Sequence, residues 1–197
     1  MQLRYATDLS IEEYVHTRAW ERVRLESCPF HPHGGCGFAR HGYYLRKFPM
    51  PAMIPRWYCP QAQQTAGLLP DFFASRLPGT LDEVEQAVNV ADDACSLEAA
   101  AGILRPEISL PGGLRRLRRR ISHVRRALIT AAGLLLVGCP PELDFFRKAL
   151  DTGRVLVRLR QEASSRLQSL PPILGFGPRR YSRWNAKMHF QQSMGPD

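Results

Sequence analysis

The feature that most limits how this chain can fold is the segment from Arg22 to Cys59. Helical periodicity disappears there, and three of the five cysteines, Cys28, Cys36 and Cys59, gather with histidines among glycines and prolines. Short alternating runs over Arg22 to Leu25, Phe38 to Lys47 and Met53 to Tyr58 predict a compact β-ribbon. Too few apolar positions lie in it for a core of its own, so it needs either a metal or a packing partner. The run Cys28-Pro29-Phe30-His31 has the C-x-x-H spacing that lets two side chains of one tight turn reach the same tetrahedral ion. Gly34, Gly35 and Gly37 let the chain fold back sharply enough to return Cys36, and Cys59 arrives from the last strand. Cys28, His31, Cys36 and Cys59 are therefore the preferred ligands of a structural Zn2+. A ribbon usually repeats a C-x-x-C turn, whereas Gln61, Ala62 and Gln63 follow Cys59-Pro60 here. That leaves His33 or His41 as substitute ligands, or a ribbon kept by packing without zinc. Catalytic zinc is disfavoured, because no Asp or Glu lies between Cys28 and Cys59 to serve as an acid or base.

Charge narrows the partners. Twenty-seven Lys and Arg against 18 Asp and Glu give a formal charge of +9 over 197 residues, an excess that attracts polyanions. Nucleic acid is the leading partner and an anionic membrane surface the competing one. The longest apolar stretch, Ala127 to Gly138, is too short to span a bilayer. The opening MQLRYATDLSIEEY lacks the apolar core of an export signal, which makes the cytoplasm the default location. Cys95 and Cys139 stand apart from the cluster and read as small buried hydrophobes.

The expected fold class is α+β and mostly α, with a zinc-ribbon-like module followed by a helix-turn-helix-like helical domain. Ser10 with Glu13 forms a capping box for a helix over Ile11 to Arg18, so 1–21 reads as an N-terminal helix and lead-in. The ribbon module occupies 22–70, and LLPDFFASRLPG bridges to the helices. Within 71–136, Thr80 with Glu83 caps one helix, Ser96 caps a short second, and a third starts near Pro111. Its stripe of Leu114, Leu117, Ile121, Val124, Leu128 and Leu135 faces a core. Two further helices, Glu142 to Leu150 and Arg154 to Leu170, fill 137–174, and 175–197 reads as a basic flexible tail.

The third helix carries Arg115, Arg116, Arg118, Arg119, Arg120, Arg125 and Arg126, and no carboxylate lies between Leu114 and Leu136. Arg116, Arg119, Arg120, His123 and Arg126 face away from the apolar stripe, as phosphate contact requires. In the ribbon, Arg40, His41, Tyr43, Arg46 and Lys47 interleave bases with aromatics, a pattern suited to phosphate contact and base stacking. Arg179 and Arg180 add charge in the tail. The bland alternatives are a solvated helix face and tyrosines packed on the neighbouring strand. The short second helix could support the arginine helix in a helix-turn-helix, although Arg105 to Leu110 is long for that turn.

The runs CPFH, GGCGFARHGYYLRK, IPRWYCP and LLPDFFASRLPGTLDEVE resemble those of the small zinc-ribbon and helix-turn-helix proteins associated with bacterial insertion-sequence transposases, over roughly Cys28 to Arg126. The resemblance implies a DNA-binding accessory or targeting role beside a separate transposase. No run of long buried strands could carry the three carboxylates of a transposase active site, and no G-x-S-x-G, P-loop or H-E-x-x-H is present. The expectation is thus a non-enzymatic DNA-binding protein with no small-molecule substrate. A protein-interaction adaptor or transcriptional regulator built on the ribbon is the alternative.

Overall fold

The structure is a computed structural model and describes residues 1–135 and 139–176. Arg179 and Arg180 lie outside the described residues, as does most of the expected tail. Helix occupies 43% of the described residues against 17% strand, so the expected mixture of α and β with helix dominant is the one observed.

Four strands form one mixed sheet in the order β1-β4-β3-β2. They are β1 (Gln2–Tyr5), β2 (Ala39–Arg46), β3 (Ala52–Cys59) and β4 (Gln64–Pro70). β2, β3 and β4 run antiparallel in sequence, and β1 adds parallel to β4 with Leu3 opposite Leu68. Two of the expected ribbon strands are present. The third, Arg22 to Leu25, is not a strand: it runs without regular structure and contributes Val23 to a cluster with Trp57 and Leu68. In its place stand β1 and β4, which the alternation pattern does not reveal. β4 is buried from Ala66 to Pro70, so its apolar run is continuous and lacks the period of a half-buried strand.

The helices are α1 (Ile11–His16), α2 (Leu81–Asp93), α3 (Leu97–Leu104), α4 (Leu110–Leu135), α5 (Leu143–Ala149) and α6 (Val155–Glu162). Capping boxes open α1 and α2 as expected: Ser10 Oγ accepts from Glu13 N, Thr80 Oγ1 accepts from Glu83 N, and each glutamate returns the bond. α6 stops eight residues short of the expected Leu170, and the chain beyond it turns so that Leu167, Leu170, Ile173 and Leu174 enter the core.

The sheet is covered on both sides. Ile54 and Leu69 belong to the largest core, which also takes Tyr14 from α1, Leu81 and Val84 from α2, Val124 and Leu128 from α4, and Leu156 and Leu159 from α6. Side chains alternate along a strand, so Trp57 and Leu68 point to the other face, where Val23, Leu25 and Phe38 cover them. The main core thus draws on each of the segments 1–21, 22–70, 71–136 and 137–174.

Between β4 and α2, residues 71–80 are buried except for Arg76 and Pro78. Buried loop carbonyls must find donors, and arginines supply them. Arg160 of α6 is fully buried, donating from Nη1 to Asp71 O at 2.9 Å and Phe73 O at 2.6 Å, from Nε to Leu174 O at 3.0 Å, and also to Ile173 O. Arg46 of β2 donates to Ala74 O at 3.1 Å and to Leu77 O, with its guanidinium 4.5 Å from the Phe73 ring centre. Arg4 of β1 grips the Asp71 carboxylate through two bonds of 2.8 and 2.7 Å. Arg160→Met leaves these carbonyls unpaired and should destabilise the protein by about 3 kcal/mol or more. Arg158→Met, which removes only an exposed pair with Glu162, should change stability by less than about 1 kcal/mol. Urea denaturation of the two variants checks the contrast.

Candidate metal centre and cationic helix face

The Cys/His segment folds across the sheet face opposite the helices. Gly34, Gly35 and Gly37 adopt φ of +79°, +75° and +66°, the left-handed region that a side chain would resist, and this returns the chain to Cys36. Cys59 ends β3. One donor atom from each of Cys28, His31, Cys36 and Cys59 lies within 4.8 Å of every other. His31 Nδ1 is 3.3 Å from Cys59 Sγ and 3.8 Å from Cys28 Sγ. Donors around a tetrahedral zinc, with bonds of about 2.0–2.3 Å, stand about 3.5–3.8 Å apart. The four residues therefore fit a tetrahedral ion of zinc type, and their soft thiol set excludes calcium or magnesium.

The surroundings favour thiolate. The Ala62 amide donates to Cys59 Sγ at 3.4 Å, at the position where a second knuckle would place its own cysteine. Burial opposes ionisation of Cys28, yet amides of Phe30 and His31 together with the His31 ring bring its pKa down to about 7. Burial pushes the Cys36 thiol up, with Cys28 and then Cys59 adding to the rise, as expected for thiols that cannot all ionise without a cation between them. His33 and His41 are exposed and outside the cluster; the His41 ring lies 5.5 Å from that of Tyr58. Beyond the cluster, Cys95 is exposed and Cys139 half-buried, so neither is the buried hydrophobe expected.

The ribbon's basic residues separate. Arg40 donates to Trp20 O at 2.6 Å and Glu21 O at 3.1 Å, with its guanidinium 4.9 Å from the Tyr43 ring and 5.5 Å from Trp57. Arg46 is tied to the buried loop, and burial lowers its pKa. Arg46 thus spends its donors on the buried loop, and Arg40 gives two of its own to backbone carbonyls of residues 20 and 21. His41, Tyr43 and Lys47 remain exposed. For Arg46 the expected phosphate contact competes with its role as a donor to buried loop carbonyls.

On α4 the expected stripe turns inward: Leu117, Val124 and Leu128 are buried, and Leu114, Ile121 and Leu135 are partly so. Arg115, Arg116, Arg118, Arg119, Arg125 and Arg126 are exposed, while Arg120 is partly buried. Neighbouring helices supply carboxylates that α4 itself lacks. Arg118 lies 4.0 Å from Glu98 of α3, and Arg125 is attracted by Asp92 of α2. At 100° per residue Arg115, Arg119 and Arg126 point directly away from the buried stripe, and none of the three has an ion pair among the described residues. Burial lowers the Arg120 pKa; Glu83 opposes the fall, while Arg105 and Arg116 add to it.

No helix among the described residues is long and apolar enough to cross a membrane. Comparison with family models, with curated proteins and with solved structures finds no match. Reconstitution with Co2+ should give the absorption bands of tetrahedral thiolate-bound cobalt. Cys59→Ser should weaken or lose them, and His33→Ala and His41→Ala should retain them.

Proposed function

We propose that this protein is a non-enzymatic DNA-binding accessory or targeting factor of the transposition-related class its motifs resemble, with a structural Zn2+ in the Cys3His cluster. The observation that carries the reading is the exposed row of Arg115, Arg119 and Arg126, which has no carboxylate partner among the described residues, on a 26-residue helix anchored along its opposite side; Arg126 donates only to Ser122 of its own helix. Such a rod presents charge at fixed spacing, so binding phosphates costs little ordering of the backbone. α3 backs the first turns of α4 through Ala101 and Gly113, where an added Cβ would meet the Ala101 side chain at 3.6 Å. In this reading α3 and α4 act as an expanded helix-turn-helix, joined by residues 105–109 rather than by the usual three or four.

Zinc, when bound, supplies the cross-link that residues 28–38 otherwise lack: they hold no helix or strand, and the three cysteines form a small cluster of their own with Phe30, Phe38 and Ala62 at its edge. Its role is to fix the exposed edge strand β2 and its Tyr43 beside the bound DNA, and a separate recombination protein is the partner of the assembly. An interaction adaptor that uses the ribbon alone is the second reading, favoured by exposure of Leu45 and Met53 on the same part of the sheet.

Binding to a duplex oligonucleotide measured against salt should show a steep loss of affinity, and Arg115→Ala/Arg126→Ala should lower the log–log slope by about 2. An unchanged slope places the interface elsewhere, and absence of binding in dilute buffer rejects the DNA reading for the adaptor. Chelator treatment should release about one zinc per chain, as expected for a single four-ligand site, and leave the α4-dependent slope intact.

A further inference from the structure

Beside the arginine row lies a cleft of about 490 Å³ with an apolar floor and a cationic rim. Four of its lining side chains are arginines, Arg105, Arg116, Arg119 and Arg120, and none is acidic. Phe48 and Leu104 stand among its apolar lining, with the Arg105 guanidinium 4.7 Å from the Phe48 ring centre. Glu107 pairs with Arg105 at 3.2 Å, and Glu83, which closes the α2 capping box, also attracts Arg120. Arg116, Arg119 and Arg120 have no hydrogen bond or ion pair of their own among the described residues.

A pocket with this division takes a ligand that has a compact apolar body and an anionic group at one end. The aromatic ring and the guanidinium beside it favour a flat body over a flexible chain, since both present planar faces for stacking. We propose that this cleft accepts one nucleotide unit, with the base among Phe48 and Leu104 and the phosphate on Arg116, Arg119 and Arg120. The inference rests on the DNA-binding reading and extends it: the protein reads an unstacked nucleotide in a single strand, a strand end or an extruded base, with Arg119 shared between the cleft rim and the outward row and the neighbouring phosphates held by Arg115 and Arg126. A base inside a regular duplex cannot reach such a site without leaving its stack.

The test is an NMR titration of the full chain with dAMP to about 10 mM, high enough to saturate a site with a dissociation constant near 1 mM. Inorganic phosphate and deoxyadenosine serve as separate probes. Saturable shifts confined to amides around the cleft are expected for dAMP, with each half alone binding about tenfold more weakly. Leu104→Trp, which fills the apolar part, and separately Arg116→Gln/Arg119→Gln, which removes rim charge, should each weaken dAMP about tenfold. Equal response to phosphate alone reduces the cleft to a simple anion site and overturns the proposal, as does absence of any shift with dAMP.

A parallel comparison of single-stranded and duplex oligonucleotides separates this inference from the reading beneath it. Weaker single-strand binding by Leu104→Trp, with duplex binding unchanged, supports the cleft. Salt-dependent DNA binding that is indifferent to Leu104→Trp leaves the DNA reading standing and overturns the cleft. Saturable dAMP binding in a chain that binds no oligonucleotide keeps the cleft as a nucleotide site and rejects the DNA reading.

Discussion

The architecture depends on a buried loop made tolerable by arginine. Residues 71–80 run through the interior between β4 and α2, where carbonyls left without a donor would each cost about 1–3 kcal/mol. Arg160 reaches them from α6, Arg46 from β2, and Arg4 fixes the neighbouring Asp71 carboxylate from β1. Ser75 ties the same loop to the end of the described chain, its amide donating to Ile173 O at 2.9 Å and its hydroxyl to Gly175 O at 2.6 Å. Sheet, helices and C-terminal segment therefore meet at one place. The orientation of α2 follows from it, because Thr80 both closes a bridge to Phe73 and caps the helix.

That arrangement sets two groups of the described arginines apart. Arg4, Arg40, Arg46 and Arg160 are donors to backbone or carboxylate groups of the fold, and substituting them tests stability before function. Those of α4 stand over an apolar stripe that holds the helix without them. Net charge alone does not distinguish the groups; the depth of the guanidinium and the acceptors around it do. The Cys3His cluster occupies the far side of the sheet from α4's packing, so the two candidate elements are carried by one scaffold yet rest on separate contacts.

Much of the helical half was legible in the sequence. Capping boxes at Ser10 and Thr80 and the stripe from Leu114 to Leu135 are local signals, and they fix helix starts and the inward face of α4. The four clustered donors were legible too, because spacing and glycines constrain a tight turn. The strands β1 and β4 were hidden: Gln2–Tyr5 becomes a strand only by pairing with residues more than sixty positions away, and β4 lacks alternation because both its faces are buried. The same long-range origin concealed the roles of Arg40 and Arg46, and the carboxylates that neighbouring helices bring to Arg118 and Arg125.

In the proposed function the outward face of α4 meets the phosphates while the interior arginines hold the fold. Arginine side-chain Nε–Hε resonances followed during titration with a short DNA report both populations in one sample. Arg115, Arg119 and Arg126 should shift first, the shifts should reverse with added salt, and Arg46 and Arg160 should stay fixed. Shifts confined to the ribbon, or none on α4 at saturating DNA, would contradict it.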